Sequence, residues 1–157
     1  MESTVLNTPL GWARIEGNSE GLTAVTILDE VPTTDEIVPE ILEEAVYQLR
    51  EYFEGKRREF TLKLNFSGTP FQKSVWKGLT HIPYGKTMSY LELSKQLGDP
   101  KAVRAVAAAN AKNPFWIIVP CHRVVGSDGS LTGYAGGLHR KKWLLDHEQG
   151  SHQQMLF

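Results

Sequence analysis

The feature that most constrains the fold is a change in the spacing of apolar residues at Ser67–Pro70 (SGTP). Before it, Thr4–Leu28 and Phe60–Phe66 alternate or cluster β-branched residues, which is typical of β-strands. After it, apolar residues recur every three or four positions, as on one face of an α-helix. The chain is therefore predicted to be α+β, with a small N-terminal α/β domain at residues 1–68 and a mostly helical domain at residues 69–150.

In the N-terminal domain, WARIEG and LTAVTIL predict two antiparallel strands, and GNSEG between them predicts a hairpin loop. FTLKLNF, at Phe60–Phe66, predicts a third strand. Between these strands, Thr33–Glu36 offers capping residues for a helix at Glu36–Glu54, which Gly55 ends. The apolar residues assigned to one face of this helix are Ile37, Ile41, Leu42, Ala45, Leu49, Tyr52 and Phe53.

The second domain begins with a helix in TPFQKSVWKGLTHI, followed by a short helix in SYLELSKQLG that Gly98 ends. Asp99 is the expected N-cap, and Pro100 the first residue, of a third helix that Asn113-Pro114 ends. Two short helices joined by a tight turn fit a helix-turn-helix. Helical proteins that bind no nucleic acid have the same spacing, so this pattern leaves DNA binding open.

The third helix of this domain is unusually rich in alanine, with Arg104 as the exception. A core-facing helix usually carries Leu or Ile, so small side chains indicate either tight helix packing or close approach to a partner. If the face is exposed, Arg104 projects from it and can enter a groove. The alanines are Ala102, Ala105, Ala107, Ala108, Ala109 and Ala111.

Charge divides at the same boundary. Residues 1–68 carry six Lys/Arg and thirteen Asp/Glu, a net −7, whereas residues 69–157 carry eleven and five, a net +6. A basic domain is typical of polyanion binding because Lys and Arg displace counterions from phosphates. Attraction between the two halves is the alternative. No apolar stretch approaches the ~20 residues of a membrane span, and no secretion signal is present, so we expect a soluble, intracellular protein.

Cys121, in the segment PCHRV, is the only cysteine of the chain. One thiol excludes an internal disulfide and a cysteine-rich zinc site. FWIIV before it predicts a strand, and Pro120 a turn that presents the thiol. A free thiol has a pKa near ~8.5 and needs help to react at neutral pH. His122 and Arg123 offer a base and a positive charge, although a buried, inert cysteine is the commoner alternative.

The segment from Asn113-Pro114 through PCHRV to GSDGSLTGYAGGLHRKKWLLDHE resembles the active-site segment of the O6-alkylguanine-DNA alkyltransferases. The resemblance extends upstream through FQKSVWKGLTHIPYGKTMSYLELSKQLGDPKAVRAVAAANAKNP and covers residues 69–148. It implies an RNase H-like N-terminal domain and a winged-helix-like second domain whose helix-turn-helix enters the minor groove of DNA. The N-terminal part is compatible with this family but carries no motif of its own.

The resemblance also implies a role for each matching residue. Cys121 would be the nucleophile and final alkyl acceptor, His122 would draw its proton through a water, and Glu148 would orient His122. Tyr90 would donate a proton to the departing guanine, and Arg104 would replace the flipped nucleotide in the base stack. The other implied residues are Ala105, Ala108 and Arg123 toward DNA, Asn113 as a brace of the active-site turn, and Val119, Tyr134, Ala135 and Gly136 around the guanine.

The implied function is direct repair of O6-alkylguanine in double-stranded DNA, with O4-alkylthymine as a further candidate substrate. The alkyl carbon is sp³, so sulfur displaces guanine in line, and no second cysteine can release the thioether. Each molecule would therefore act once. We expect a monomer without metal, cofactor or membrane contact, located in the cytoplasm and, in a bacterium, at the nucleoid.

Two alternatives remain, a sensor of alkyl lesions and a non-enzymatic winged-helix DNA-binding protein. The first is disfavoured because Cys121 is present, and the second leaves Tyr90, His122 and Glu148 without roles. A cysteine hydrolase would need oxyanion donors and an acyl substrate, of which the sequence gives no sign. Ala135 departs from the serine that relatives often have, so a side-chain contact near the base is in doubt. The tail at residues 151–157 either packs on the domain or contacts another protein.

Overall fold

The structure is a computed structural model that describes residues 1–32 and 37–150 of the chain. The capping residues predicted at Thr33–Glu36 and the tail at 151–157 lie outside the described residues. The chain divides into two compact units that we call the first and the second unit. They consist of Met1–Ser67 with Pro114–Ile118, and of Gly68–Asn113 with the described residues from Val119 onward.

The first unit is built on an antiparallel sheet of three strands in the order β1-β2-β3, formed by Glu2–Thr8, Gly11–Asn18 and Gly21–Leu28. Alternate residues along β2, such as Ala13 and Ile15, are fully buried, as expected of a strand with one face on a core. The strands predicted from WARIEG and LTAVTIL and the hairpin between them are confirmed. The antiparallel sheet and the helical second unit confirm the α+β class.

Helix α1 covers Glu43–Phe53 and begins later than predicted. A 3-10 turn at Glu40–Leu42 precedes it, and Pro39 before that turn has an extended ψ of 146°. Proline disfavours helical backbone at the preceding residue, here Val38. Ile37 is 92% exposed and not on a buried face, so its assignment was wrong. The buried face of α1 consists of Ala45, Val46, Gln48, Leu49 and Tyr52.

The predicted strand Phe60–Phe66 was also wrong. Leu64 alone makes a bridge, in parallel orientation to Leu22. Upstream of it, Thr61 hydrogen-bonds to a side chain: its N–H donates to Oε1 of Gln48 over 2.9 Å, and its hydroxyl accepts from Nε2 of Gln48 over 2.9 Å. An amide committed to a side chain cannot join a strand ladder, so the alternating segment stays extended without becoming a strand.

The second unit begins with two helices that have the same N-terminal signal. Helix α2 covers Pro70–Leu79. The N–H of Thr69, just before the helix, donates to Oε1 of Gln72 over 3.0 Å, and the N–H of Gln72 donates to the hydroxyl of Thr69 over 3.1 Å. Helix α3 covers Tyr90–Gln96 and begins in the same way after Ser89. Such capping boxes satisfy N–H groups that a helix start leaves unpaired. Both helices were predicted and are confirmed.

Helix α4 covers Val103–Ala111, and the prediction that it starts at Pro100 with Asp99 as N-cap was wrong. The carboxylate of Asp99 accepts from Lys101 N over 3.0 Å, and its carbonyl accepts from Ala102 N over 3.1 Å. Asp99 therefore caps a separate turn between the helices. α3 and α4 pack on one another as two short helices joined by this turn, which is a helix-turn-helix arrangement.

A parallel ladder of two residues per strand joins β4, Met88–Ser89, to β5, Val124–Val125. β4 leads directly into α3, and β5 follows a 3-10 turn at Cys121–Arg123. The last helix, α5, covers Leu138–Gln149 and ends at a glycine with left-handed backbone, a common helix terminator. Within residues 1–32 and 37–150, no helix is long and apolar enough to cross a membrane.

The run FWIIV, predicted as a strand, bends sharply instead. Phe115 makes a single bridge to Val25 within the first unit. Ile118 N then donates to Trp116 O over 2.9 Å, and Ile117 between them has φ +75°. This is a γ-turn with a left-handed central residue, a conformation that β-branched residues rarely adopt. The apolar, β-branched composition therefore pointed to the wrong structure.

Candidate active site

The sole cysteine lies on a tight turn of the second unit. Pro120 has φ −80° and ψ 64°, and Cys121 N donates to Val119 O over 2.8 Å, which is the geometry of an inverse γ-turn. Asn113 Nδ2 donates to the same carbonyl over 2.8 Å. Asn113 therefore lies against the turn that it was expected to brace. The Val119 carbonyl uses both of its lone pairs inside the protein.

The thiol of Cys121 is buried, with 3% of the residue exposed. Burial raises its pKa to about 11, although a hydrogen bond from Asn113 and the charge of Lys141 lower it in part. At neutral pH roughly one thiol in 10,000 would then be ionised. Because the thiolate is the reactive form, this cysteine needs a base at hand.

His122, the residue after Cys121, forms a hydrogen-bonded pair with Glu148. His122 Nε2 lies 2.8 Å from Glu148 Oε2, and both side chains are buried. Burial alone would raise the pKa of Glu148, but the charges and hydrogen bonds of His122 and Arg123 hold it well below its ordinary value. An ionised carboxylate only accepts, so Nε2 of His122 carries the proton. Its Nδ1 has no hydrogen-bond partner among the described residues.

The imidazole of His122 is held neutral. Burial lowers its pKa the most; Glu148 raises it, and the positive charges of Arg123 and Lys141 lower it. A neutral imidazole with a lone pair on Nδ1 can accept a proton at physiological pH. Cys121, His122 and Glu148 thus have the composition of a nucleophile, a base and an orienting group.

Arg123, assigned to DNA contacts from the sequence, is buried, and that assignment is corrected. Its Nε donates to Glu148 Oε1 over 2.8 Å and its Nη2 to Glu148 Oε2 over 3.0 Å. Its Nη1 donates to the carbonyl of Ile82 over 2.6 Å. A guanidinium committed to three buried acceptors is not available to a phosphate.

Tyr90, the expected proton donor, is the first residue of α3 and is half-buried. Its hydroxyl lies 3.5 Å from the carbonyl of Thr132. The ammonium of Lys141 lies 5.9 Å from the centre of the Tyr90 ring and interacts electrostatically with Cys121. The phenol and the thiol therefore share one neighbouring cation.

Lys141 is a buried residue of the site that the sequence analysis missed. Its Nζ donates to Val124 O over 2.6 Å and to Thr132 O over 2.7 Å. Burial lowers its pKa to about 8, and the charge of Cys121 raises it. Lys141 lies two helical turns before Glu148, on the same face of α5. This spacing was the signal that both charged side chains point inward.

The loop before α5 carries the residues implied to surround the base. Gly137 N donates to Tyr134 O over 2.9 Å and closes a turn. Burial raises the pKa of Tyr134 well above its ordinary value, and the nearby charge of Cys121 raises it further. Gly136 is buried and Ala135 is exposed. Tyr134 is thus brought near the thiol, while the methyl group of Ala135 is open to solvent.

Helix α4 exposes the three residues implied to meet DNA, namely Arg104, Ala105 and Ala108. Its opposite side is buried at Val106 and Ala109. The carbonyl of Ala109 accepts from Nε1 of a buried tryptophan of α2 over 2.8 Å. One side of α4 therefore packs tightly, and the other forms a smooth exposed face around Arg104; close approach of this face to a partner stays a prediction.

No metal centre is evident in the part of the chain that the structure describes. Over residues 1–32 and 37–150, no three His, Cys, Asp or Glu side chains come together in a way that could hold an ion. The Nε2 of His122, an otherwise suitable ligand, is already bonded to Glu148. The expectation that the protein needs no metal or cofactor stays a prediction.

The chain matches known proteins over nearly its whole length. The model of the 6-O-methylguanine DNA methyltransferase ribonuclease-like domain matches residues 1–66, and that of the 6-O-methylguanine DNA methyltransferase DNA binding domain matches residues 70–150. A Methanosarcina barkeri protein named methylated-DNA--protein-cysteine methyltransferase is 46% identical over 152 residues, 94% of this chain and 96% of that protein.

Two solved structures from Mycobacterium tuberculosis are also similar. The crystal structure of its O6-methylguanine methyltransferase matches with a TM-score of 0.85 and 43% identity, covering 95% of this chain and 93% of that one. The structure of its OGT protein in complex with DNA matches with a TM-score of 0.87 and 42% identity, covering 96% and 94%. Both matches therefore extend over both units.

Proposed function

Because the chain belongs to the 6-O-methylguanine DNA methyltransferase family, a family of DNA-binding repair methyltransferases, we propose that it moves an alkyl group from O6 of guanine in duplex DNA to Cys121. The observation that carries the proposal is the buried triad of Cys121, His122 and Glu148. The buried thiol of Cys121 is protonated, and the residue that follows it in the chain carries a neutral imidazole whose Nδ1 has no partner among the described residues. This pairing supplies a base where the thiol needs one.

The proposed step is a displacement at the alkyl carbon. The thiol of Cys121 gives its proton, through a water, to Nδ1 of His122, and the sulfur forms a bond to carbon as the bond between carbon and O6 breaks. Guanine leaves with the electron pair of that bond and takes a proton from Tyr90. The tyrosinate then regains a proton from solvent, and the imidazolium loses one to solvent. The net change is the transfer of one proton from the thiol to guanine.

We further propose that each molecule reacts once. The product is a thioether, which water does not readily cleave, and the chain has no second cysteine to attack it. All the proposed catalytic groups come from one chain, so we expect a monomer to be sufficient. Its substrate is cellular DNA, and we expect it to act in the cytoplasm, at the nucleoid of a bacterial cell.

Base flipping is the part of the proposal that concerns α4. A damaged base within a duplex cannot reach a buried thiol unless it leaves the stack, which takes a few kcal/mol. The exposed face of α4 carries Arg104 together with the small residues Ala105 and Ala108. It is smooth enough to approach the minor groove closely. Arg104 would then occupy the position of the extruded nucleotide. We include O4-alkylthymine as a substrate because its alkyl carbon is also bonded to an exocyclic oxygen of the base.

Intact-protein mass spectrometry tests alkyl transfer. After incubation with a duplex that contains one O6-methylguanine, we expect the mass to rise by one methyl group, located on the peptide of Cys121. Excess duplex should not yield more than one guanine per protein molecule. The Cys121→Ser variant is the matched control and should gain no mass. A parallel duplex with O4-methylthymine tests the second substrate.

Two outcomes would contradict this proposal. Tight binding of the lesion with an unchanged mass of the wild-type protein would favour the lesion sensor. Repair of many O6-methylguanines per protein molecule would refute the single turnover.

The Arg104→Ala variant tests base flipping. We expect it to lose far more rate on the duplex than on free O6-benzylguanine, which needs no extrusion. Lys112→Ala removes an exposed cation just beyond the end of α4 and controls for simple loss of charge. Equal losses on both substrates would refute the proposed role of Arg104.

A further inference from the structure

The guanidinium of Arg123 is buried and held by three hydrogen bonds. It holds both oxygens of Glu148, at 2.8 and 3.0 Å, and a third bond of 2.6 Å joins it to the carbonyl of Ile82. The ring of Tyr84 lies 5.7 Å from its central carbon. Two parallel bonds to a carboxylate and a third to backbone fix the guanidinium plane, which a lysine ammonium cannot reproduce.

The N–H of Gly85 lies 3.5 Å from Oε1 of Glu148, and the side chains that hold this carboxylate include two of different kinds. One is the permanently charged Arg123, and the other is His122, which can be neutral or charged. A buried carboxylate paired with a histidine alone favours the imidazolium, because an opposite charge stabilises the protonated ring. An imidazolium carries protons on both nitrogens and cannot accept the proton of the thiol.

We propose that Arg123 is a positioning residue that neutralises Glu148, so that His122 stays uncharged with its lone pair on Nδ1. This rests on the proposed function in one respect only, namely that Nδ1 receives the proton of Cys121. Arg123 acts through Glu148 and touches neither the thiol nor the substrate. Its role is to add to the effect of burial in keeping the base neutral, not to bind DNA.

The other charges around His122 agree with this role. Glu148 and Lys141 face it from α5, and Arg123 and Cys121 are its neighbours in the chain. With a protonated thiol and a neutral imidazole, Glu148 and Arg123 compensate one another and Lys141 leaves one positive charge. A proton on His122 would add a second buried positive charge. Without Arg123, a proton on His122 would change the net charge from zero to one instead of from one to two, so a charged His122 costs less.

The test is the Arg123→Met variant, which keeps an unbranched apolar side chain of similar reach but no charge. The NMR titration of the His122 imidazole should move to higher pH by at least about one unit. The rate with free O6-benzylguanine should fall by about tenfold or more near pH 6 and recover as pH rises. Arg123→Lys should restore part of the wild-type titration and part of the rate, since it returns the charge but not the two parallel hydrogen bonds to Glu148.

The matched control is Lys142→Met, which removes an exposed cation of α5 that pairs with Asp146. It should leave both the titration and the pH–rate curve unchanged. If Arg123→Met instead kept the wild-type titration and pH–rate curve and lost rate on duplex DNA alone, Arg123 would be a DNA contact and the proposal would be overturned.

The wild-type protein gives a test that needs no variant to fold. Its His122 should remain neutral well below pH 6.5, and a titration at or above that value would overturn the proposal. The titration is independent of alkyl transfer. Failure of the proposed function would appear as an unchanged protein mass, whereas failure of this inference would appear as a charged His122.

Discussion

The two units of the molecule bury different kinds of side chain. The core of the first unit is almost entirely hydrocarbon, and among its described residues the buried polar side chains are Thr4 and Gln48. The second unit buries an acid, a histidine and two cations, namely Glu148, His122, Arg123 and Lys141, besides several neutral polar groups. Both units have continuous apolar cores, so stability alone does not account for the difference.

The way in which these polar groups are satisfied is more informative than their number. Gln48 in the first unit uses its amide fully, since its Nε2 donates to Glu44 and Thr61, and its oxygen accepts from Thr61 N. Thr4 leaves only a neutral hydroxyl without a partner. In the second unit, the atoms without a partner among the described residues are Oδ1 of Asn110 and Nδ1 of His122, and only Nδ1 can take up a proton near neutral pH. A buried titratable atom without a partner indicates chemistry, whereas a closed amide network indicates structure.

The largest effect that should separate the units is removal of a buried carboxylate. Glu148→Ala leaves Arg123 charged, buried and without its partner, which should lower the free energy of unfolding by about 3–5 kcal/mol. Glu51→Ala in the first unit breaks a partly exposed pair with Arg57 and should lower it by less than about 1 kcal/mol. Urea denaturation measures both. Equal losses would mean that the buried pair is as dispensable as the surface one.

Truncation of the apolar cores should not separate the units. Leu49 in α1 and Leu144 in α5 are both fully buried, so Leu49→Ala and Leu144→Ala should each cost about 2–5 kcal/mol. Denaturation curves of the two variants provide the measurement. A loss below about 1 kcal/mol for only one of them would show that its unit does not depend on its core in the same way.

Lowering the pH should reveal the same difference between the units, as a smaller change in the free energy of unfolding. The pKa of Glu148 is held below its unfolded value of about 4.5, so the ionised form is favoured by folding. The stability that it contributes is complete above that pH and is lost as the pH falls below it. Unfolding free energies measured at about pH 7 and pH 3.5 should differ less in Glu148→Gln than in the wild type. Glu51→Gln is the control, and an unchanged slope for Glu148→Gln would contradict the prediction.

The smallest effect concerns helix starts. α3 has a capping box at Ser89, whereas α1 in the first unit begins without a side-chain cap. Ser89→Ala should lower the free energy of unfolding by about 1 kcal/mol, and Ser89→Gly by only a few tenths. Thr69→Ala, at the capping box of α2, should match Ser89→Ala. Chemical denaturation decides this, and no loss in either alanine variant would rule out the caps as a stabilising feature of the second unit.

Local patterns predicted the parts of the fold that depend on local physics. Strand alternation identified β2 and β3, and apolar spacing identified α2 and α3. The errors came where another interaction outweighed the pattern. Pro39 prevented the early start of α1, and the amide of Thr61 hydrogen-bonds to a glutamine side chain instead of a strand. The left-handed backbone of Ile117 has no signature in a β-branched residue.

The candidate site was predictable only through the resemblance. Periodicity cannot bring His122 and Glu148 together, because they are far apart in the chain and meet through tertiary packing. Arg123 was assigned to DNA, and its distance along the chain from Glu148 gave no sign that the two side chains pair. Lys141 was missed although its spacing from Glu148 along α5 marks an inward face. A charged residue on an apolar stripe was the useful signal in this sequence.

The ladder between β4 and β5 has a consequence for redesign of the protein. Four residues align the start of α3, which carries Tyr90, with the turn that carries the thiol. One added or deleted residue at Met88–Ser89 would displace one segment by about 3.3 Å and turn its side chains to the opposite face. The surface loop at Ser127–Ser130, in contrast, should tolerate grafted peptides, since its length does not enter that alignment. Tags and sensor modules therefore belong in this loop and not within the ladder.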